Sequence, residues 1–391
     1  MKGQEKVVLT VVWLLLCVAE LISGCKLSPT TASGFKAPKG QICSGQLIFE
    51  DNFNRLDRTV WEHENSLGGG GVSILSIPSR MENYHDPTFF KNNEFQWYSG
   101  SERNSYIKNN HLYIRPTLTS DEFGEEFLKS GVINLNEGPQ SQRCTDGPGW
   151  AEQIQGCYRR GSPDRILNPV RSARLRTINS FAFKYGKLEI NAKLPRGDWL
   201  WPALWLLPKG DTYGSWPKSG EIDLLESRGN RNLMLNNENI GVGKVSSCLH
   251  FGENPNLRSS QCGSVNGNLF GAMFNRYQMT WTQNVIQFGV NDNIFRTVTP
   301  YEGFWKLGGF SFNPWPQGSK MAPFDREFHI LMNVAVGGDY FPDDAWNPHP
   351  KPWRLGNPSA MTDFYKAKSD WYSTWGDAAA LEVDWVRVWA A

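Results

Sequence analysis

Short runs in which apolar and polar residues alternate recur along most of this chain. In the clearest, residues 188–194, four apolar side chains alternate with Glu, Asn and Lys. Because side chains on a strand point alternately to its two faces, a period of two predicts β-strands with one buried face. No long helical periodicity competes with it, and short helices are expected around residues 359–372. The pattern predicts an all-β fold, a sandwich or jelly roll closed by long loops. Similar alternation marks residues 112–115, 286–290, 328–336 and 382–385.

The segment Gly220–Glu226 breaks this simple alternation. A regular strand would put Glu221 and Asp223 on one face and Glu226 on the other, among apolar residues. A charged carboxylate in an apolar core is costly. One extra residue in a β-bulge between Asp223 and Glu226 would return all three acids to one face, and bulges are over-represented beside active sites. The segment is therefore predicted to be a bulged strand whose acids face a cleft, with a solvated acidic edge strand as the alternative.

Three regions fall outside the alternating pattern. Residues 25–44 are rich in Pro, Gly, Ser and Thr and are predicted to be a linker, so that the folded domain spans residues 45–391. Residues 68–92, which open with a run of glycines, and residues 137–170 show little periodicity. Loops of this length are usually functional or are insertions. No internal repeat is present, and a single large domain is predicted.

The overall charge makes nucleic acid an unexpected partner. The chain has 40 Lys and Arg against 39 Asp and Glu, without a basic stripe. Aromatic residues are abundant, with 17 Trp, 12 Tyr and 22 Phe. Flat aromatic faces suit the apolar faces of sugar rings, although core packing is the default role of a tryptophan. The composition is therefore compatible with a carbohydrate-binding cleft.

The N-terminus has the features of a secretory signal. Lys2 and Lys6 precede an apolar run over residues 7–19, which small residues follow. Because the run is too short for a membrane span, residues 1–24 are interpreted as a signal peptide and the protein as secreted and extracellular. The four residues that end at Cys25 also fit a bacterial lipoprotein cleavage box, which is the alternative.

Removal of a signal peptide would leave an even number of cysteines, which suggests disulfides in a secreted protein. Many pairings are possible, and pairing between sequence neighbours is the simplest. The spacings do not suggest a zinc site, and no histidine cluster accompanies them. We therefore predict no metal ligands. The expected pairs are Cys25–Cys43, Cys144–Cys157 and Cys248–Cys262.

Further motifs accompany the acidic segment in a fixed order. They are Leu47–Phe53, Trp61–Glu64, Arg174–Thr177, Phe183–Gly186, Pro195–Trp205, Ser219–Asn230, Gly318–Asp325, Met332–Gly338 and Val383–Trp389. In this order they resemble glycoside hydrolase family 16, in particular its invertebrate endo-1,3-β-glucanases and the related lipopolysaccharide- and β-1,3-glucan-binding proteins. The resemblance covers residues 45–391. It implies a curved, concanavalin A-like β-sandwich jelly roll with a concave substrate cleft, and hydrolysis with retention at the anomeric carbon.

The resemblance also implies a role for each acid. Glu221 corresponds to the nucleophile, Glu226 to the general acid/base, and Asp223 to the residue that orients the nucleophile. A retaining enzyme needs two carboxyls about 5–5.5 Å apart, which same-face neighbours on a bulged strand can reach through their side chains. Three acids on one face cannot easily all ionise, so one should keep its proton near neutral pH, and Glu226 is the candidate.

Residues that bind the sugar are implied by the resemblance, and for the tryptophans also by spacing, since Trp199, Trp201 and possibly Trp205 could share one face of a strand. Two tryptophans correspond to cleft walls, although core packing is the alternative for each. Four polar residues correspond to positions that line the cleft; a structural histidine is the alternative for one of them, His250. A structural calcium occurs in many family members, but no tight acidic cluster marks such a site here, so no cofactor is predicted. The substrate-binding candidates are Trp199, Trp205, Arg196, His250, Asn93 and Asn333.

The chain also departs from the family pattern in two places. Residues 72–92 separate the glycine run from Asn93, whereas relatives join these segments almost directly. We predict that this insertion is poorly ordered and dispensable. Few residues separate the predicted signal peptide from the domain, so the N-terminal carbohydrate-binding sandwich of many recognition proteins is expected to be absent.

Two functions compete for this chain. The first is a secreted, monomeric endo-1,3-β-glucanase that cleaves internal bonds of laminarin-like glucans by double displacement. The alternative is a pattern-recognition protein of innate immunity that binds β-1,3-glucan or lipopolysaccharide without hydrolysis. Binding-only relatives have commonly lost one or both glutamates, whereas this chain keeps Glu221, Asp223 and Glu226. The sequence therefore favours an enzyme, and a purely structural protein would leave the acids unexplained.

Overall fold

A computed structural model describes residues 25–68, 92–137, 143–147 and 154–391. The predicted signal peptide and all but the last residue of the predicted insertion at 72–92 lie outside the described residues. The strands are β1 (Thr31–Ser33), β2 (Leu47–Asp51), β3 (Glu62–His63), β4 (Gln96–Tyr98), β5 (Ser105–Lys108), β6 (His111–Ile114), β7 (Thr117–Leu118), β8 (Val132–Asn134), β9 (Tyr158–Arg160), β10 (Val170–Ser172), β11 (Arg174–Arg176), β12 (Ala182–Lys184), β13 (Gly186–Lys193), β14 (Leu200–Pro208), β15 (Glu221–Glu226), β16 (Met234–Leu235), β17 (Glu238–Asn239), β18 (Lys244–Asn254), β19 (Leu257–Asn266), β20 (Asn275–Trp281), β21 (Ile286–Val290), β22 (Asn293–Val298), β23 (Phe328–Val336) and β24 (Leu381–Trp389).

Helices are few and short, as the sequence predicts, and two of them lie in the expected region after residue 359. They are α1 (Ser120–Phe123), α2 (Glu125–Ser130), α3 (Phe304–Leu307), α4 (Ala360–Lys366) and α5 (Lys368–Trp371), with a 3-10 turn at Tyr372–Thr374. In the part of the chain that the structure describes, none of these helices has the length and apolar character needed to cross a membrane.

Two large antiparallel sheets dominate the molecule. One has the order β1-β12-β23-β14-β15-β18-β19, with β11 also paired to β23, and β3 paired to β11. The other has the order β22-β21-β20-β13-β24-β6-β5, with β2 also paired to β24. The strands predicted from alternation are all present, and the all-β sandwich is confirmed. The first sheet carries the acidic segment in β15, and is called the acidic sheet below.

The core lies between the two sheets and is made by the inward face of each strand. On β13 the alternating residues Leu188 and Ile190 are fully buried in one cluster with Met332 and Val334 of β23. A second, smaller buried cluster contains Ala203, Trp205, Leu207 and Leu331. These residues alternate with core residues along β14 and β23, so the smaller cluster lies on the opposite face of the acidic sheet, the face of the acids.

The structure corrects the prediction of a linker at residues 25–44. Strand β1 lies within this segment and pairs with β12, with Thr31 opposite Lys184. The Ser28 hydroxyl donates to the carbonyl of Ala391, and the amide of Ala391 donates to the Thr30 hydroxyl, at 2.8 Å each. The Ser- and Thr-rich composition therefore reflects hydrogen bonds to a sheet edge and to the C-terminus. This segment is part of the folded unit.

The predicted neighbour pairing of the cysteines is confirmed. Disulfides join Cys25 to Cys43, Cys144 to Cys157, and Cys248 to Cys262. The third crosses directly between paired strands, because Cys248 of β18 lies opposite Cys262 of β19. Each bond closes a short loop and limits the freedom of the unfolded chain.

Candidate active site

The predicted bulge is present in β15 and sets the geometry of the acids. Against β14, Leu204 lies opposite Leu225 and Trp205 opposite Asp223, so Leu224 has no partner. The pairing with β18 shifts in the same place, between Asp223 and Glu226. Since Ala203 and Trp205 share a face of β14, their partners Glu226 and Asp223 share a face of β15.

The turn into β15 requires glycine and positions an indole against the first acid. Gly220 has φ +86°, and a Cβ there would lie 3.0 Å from side-chain atoms of Pro323 and Phe324. In the same turn, Nε1 of Trp216 donates to Oε2 of Glu221 at 2.7 Å. Trp216 is a site residue that sequence reasoning missed, although its position five residues before Glu221, in the turn that leads into β15, was a usable signal.

A second indole contacts the last acid. Nε1 of Trp201 donates to Oε1 of Glu226 at 3.0 Å. The Trp201 ring stacks on the Tyr340 ring, with centroids 4.2 Å apart and planes 9° apart. The Arg228 guanidinium lies 3.7 Å from the centroid of the Tyr340 ring. Alternation along β14 gives Trp201 the face of Trp205. Tyr340 and Arg228 come from loops, and only the tertiary structure brings them here.

The middle acid is paired with the predicted histidine. His250 of β18 lies opposite Glu221 in the strand register. Its Nε2 is 3.0 Å from Oδ2 of Asp223, which is almost fully buried. The structure therefore brings His250 into the acid cluster, and each of the three acids has a distinct ring nitrogen beside it.

Burial governs the electrostatics of the cluster. Burial, together with the neighbouring Asp223 charge, raises the pKa of Glu221 to about 8. Burial also raises the pKa of Asp223 well above its usual value, with Glu226 contributing, and raises the pKa of Glu226. A hydrogen bond joins Glu221 and Asp223. These raised pKa values support the expectation that the cluster keeps a proton near neutral pH. Glu226 is not the only acid that can carry a proton, because the hydrogen bond between Glu221 and Asp223 also needs one.

The raised pKa of Glu221 predicts a pH-dependent stability difference for Glu221→Gln. At pH 4 the carboxyl is protonated in both the folded and the unfolded protein, so this group contributes little to the difference. As pH rises from the usual pKa of 4.5 to about 8, the unfolded chain ionises freely while the folded protein resists, and wild-type stability falls. Glutamine cannot ionise. The variant's thermal midpoint should therefore exceed that of wild type at pH 8 by more than at pH 4, and an equal difference at both would contradict this account.

Beside the acids, a buried polar network supports the floor of the cleft. Nε1 of Trp205 donates to Oδ1 of Asn333 at 2.8 Å, and Nδ2 of Asn333 donates to the Tyr98 hydroxyl at 3.2 Å. The Arg174 guanidinium lies over both the Tyr98 and the Trp205 rings and donates to Glu64. Trp205 and Asn333 are thus placed on the predicted face. The ion pairs continue through Glu64, Arg176 and Glu62.

The other three residues predicted to bind sugar, Trp199, Arg196 and Asn93, do not contact the acid cluster. Trp199 is fully buried, and its ring packs edge-on against Phe341 and Trp353, so its prediction as a cleft wall is wrong. It precedes β14, where the alternation that placed it on the cleft face does not extend. Arg196 packs beside Gly271, and no hydrogen bond or ion pair within the described residues joins it to the acids. Asn93 is exposed and donates to Asp339, the neighbour of Tyr340, and in the part of the chain that the structure describes no hydrogen bond or ion pair joins it to the acids.

Among the described residues, two groups of side chains have the spacing of metal ligands, but the sulfur atoms in both belong to disulfides. One is Asp223, Cys248 and His250, whose ligand atoms lie within 4.8 Å of one another. The other contains Asp146 with the two cysteines of the Cys144–Cys157 disulfide. A disulfide sulfur is not a thiolate and is a poor metal ligand. Neither group therefore offers a full set of donors.

The fold and this carboxyl cluster define a β-sandwich of the glycoside hydrolase type. Residues 155–322 match the family described as Glycosyl hydrolases family 16. A β-1,3-glucan-binding protein of Penaeus monodon is 41% identical over 360 residues, which are 88% of this chain and 90% of that protein. A β-1,3-glucan-binding protein of Tenebrio molitor is 31% identical over 378 residues, which are 94% of this chain and 69% of that protein. The chain belongs to glycoside hydrolase family 16.

Solved structures agree on the fold. The laminarinase of Rhodothermus marinus superposes with a TM-score of 0.53 at 23% identity, over 88% of this chain and 97% of the other. The catalytic domain of an endo-1,3-β-glucanase from Thermotoga petrophila gives a TM-score of 0.52 at 20% identity, over the same shares. At this identity the likeness concerns the architecture alone.

Proposed function

We propose that this protein is a secreted, retaining endo-1,3-β-glucanase that acts as a monomer on laminarin-like glucans. One observation carries the proposal: the bulge in β15 sets Glu221 and Glu226 on one face, each with its own indole N–H donor. The names of its relatives support β-1,3-glucan as the ligand. The N-terminal apolar run and the three disulfides support an extracellular location.

The reaction would proceed in two displacements. Glu226 donates its proton to the glycosidic oxygen as the bond from that oxygen to the anomeric carbon breaks, while a Glu221 oxygen attacks that carbon and forms a glycosyl ester. The Glu226 carboxylate then takes a proton from a water that attacks the same carbon. The ester bond breaks, Glu221 leaves as a carboxylate, and Glu226 is protonated again. Two inversions give net retention.

Asp223 and Trp216 would keep the nucleophile ready for this attack. Glu221 can attack only as a carboxylate, so the proton that it shares with Asp223 must lie on Asp223 in the competent state. The indole of Trp216 donates to Glu221 and favours its ionised form. Asp223 is the more deeply buried of the two, which favours its neutral form.

The rest of the cleft supplies surfaces suited to a glucan chain. Trp205 offers an aromatic surface that Arg174 and Asn333 hold in place from the neighbouring strands. His250 is partly exposed on the same face, as a substrate-binding residue would be, whereas Asn333 is buried and supports the Trp205 ring. We place the catalytic unit at residues 45–391, with the disulfide-closed segment 25–44 packed onto it.

Glucan recognition without hydrolysis is the second candidate, because the similar invertebrate proteins are named as glucan-binding proteins. The two functions are separated by incubating the folded protein with laminarin. We expect new reducing ends, with the β-anomer formed first in proton NMR spectra. A folded protein that binds laminarin but releases no reducing sugar would contradict the enzyme and support the recognition role.

A further inference from the structure

We infer that Arg228 is a positioning residue for the general acid, holding Glu226 through the stacked rings of Tyr340 and Trp201. The inference rests on the proposed function and adds to it a residue that does not touch the reacting atoms. Arg228 lies two residues after Glu226, where β15 has ended and the chain leaves the acidic sheet.

Arg228 holds Tyr340 in two ways at once. Its Nε and Nη2 both donate to the carbonyl oxygen of Tyr340, at 2.9 and 2.6 Å. Its guanidinium carbon also lies 3.7 Å from the centroid of the Tyr340 ring. A planar guanidinium that binds the backbone and stacks on the ring of one residue fixes both its position and its orientation. Tyr340 lies on the loop after β23, so this contact attaches that loop to the end of β15.

Tyr340 in turn fixes the indole that contacts the acid. Its ring is nearly parallel to that of Trp201, so the Trp201 plane is set by β14 on one side and by Tyr340 on the other. The indole N–H points along this plane to Oε1 of Glu226 at 3.0 Å. Loss of Arg228 would free Tyr340, and the indole would then lose one of its two supports. A small displacement of a catalytic group is costly, since a misplacement of about 1 Å can reduce the rate about 100-fold.

The charge of Arg228 acts in the same direction as its geometry. The groups that face Glu226 are Glu221 and Asp223 on its own strand, His250 on β18, the Tyr340 phenol on the loop after β23, and Arg228 itself. Burial and the Glu221 charge raise the pKa of Glu226, whereas His250, the Trp201 hydrogen bond and Arg228 lower it. Removing the Arg228 cation would raise the pKa of Glu226. The alkaline limb of the pH profile, where the acid loses its proton, would then move to higher pH.

The test uses the fact that a general acid is needed only when the leaving group is poor. We would compare kcat/KM for laminarin and for a dinitrophenyl β-laminaribioside, since kcat/KM reports the first displacement. For Arg228→Met we expect a loss of about 100-fold on laminarin, within the range for a general acid, and less than about threefold on the activated substrate. Arg228→Lys keeps the charge but not the planar stack and should recover only part of the laminarin activity.

Arg231 provides the matched control, because it lies three residues further along, is exposed, and makes no side-chain hydrogen bond or ion pair among the described residues. Arg231→Met should behave as wild type on both substrates. Equal losses on both substrates for Arg228→Met and Arg228→Lys would show a merely structural role and overturn the inference. So would wild-type behaviour of Arg228→Met on laminarin, or an unmoved alkaline limb. Inactivity of the wild-type protein on both substrates would instead refute the proposed function, and the inference with it.

Discussion

Replacement of Glu221 by glutamine is expected to abolish laminarin hydrolysis while leaving laminarin binding. The amide has almost the shape of the carboxyl but cannot form the glycosyl ester, so kcat should fall on the order of 10⁴-fold or more, as when other enzymes lose a nucleophile. Trp216 can still donate to the amide oxygen, and the cleft surface should persist. Reducing-sugar release measures the loss, and calorimetry with a laminarin oligosaccharide measures binding.

The control for this prediction is Glu302→Gln, a carboxyl-to-amide change at an exposed residue in the turn before α3. It should retain wild-type activity and binding. Hydrolysis by Glu221→Gln at a rate near that of wild type would place the nucleophile elsewhere. Loss of both activity and binding in the glutamine variant would show that Glu221 mainly shapes the cleft.

Replacement of Arg174 by methionine is expected to cost about 3–5 kcal/mol of unfolding free energy, the range for breaking a buried ion pair on one side. Arg174 is almost fully buried, donates to Glu64 at 3.1 Å, and lies over the rings of Tyr98 and Trp205. Methionine fills much of the space but leaves the buried Glu64 with less compensation. Denaturant unfolding monitored by tryptophan fluorescence measures the change.

A surface pair supplies the comparison for the same measurement. Glu50 accepts from Nε of Arg387 at 2.7 Å, and both side chains are about one third exposed. Glu50→Gln should change the unfolding free energy by less than about 1 kcal/mol, because exposed pairs are screened by water. If Arg174→Met and Glu50→Gln had similar effects, the network beside Trp205 would not be a determinant of stability.

The sequence predicts the part of the site in which the apolar alternation of a strand would place a charged residue in the core. In β15 the apolar alternation and the position of Glu226 cannot both be satisfied by a regular strand, so the bulge at Leu224 follows from the sequence. The same alternation in β14 gives Trp205 the face of the acids. It fails for Trp199, which precedes the strand, has φ +68° and packs into an aromatic cluster. A period of two holds only inside a strand, and the pattern itself does not mark the strand's first residue.

The polar segment 25–44 is a second case in which a local pattern misled the prediction. Its Ser and Thr content predicts a linker because these residues occur often in turns, yet they also complete hydrogen bonds at a sheet edge. Whether such residues bind water or a neighbouring strand depends on where the strand lies, which local composition does not contain. Thr31, for example, acquires its partner Lys184 only when β12 is in place.

The sequence by itself determined the all-β architecture, the bulged acidic strand, the neighbour pairing of the cysteines and the family. Each of these follows from local spacing or from ordered motifs. Only the tertiary structure decided which indoles contact Glu221 and Glu226 and what holds them. Trp216 reaches Glu221 through a turn, and Tyr340 and Arg228 reach the indole beside Glu226 from two loops. Trp216 and Glu221 are only five positions apart in the sequence, whereas Arg228 and Tyr340 are 112 positions apart. Side-chain alternation fixes only the face of a strand, whereas the packing of loops against that face sets the protonation and orientation of the acids.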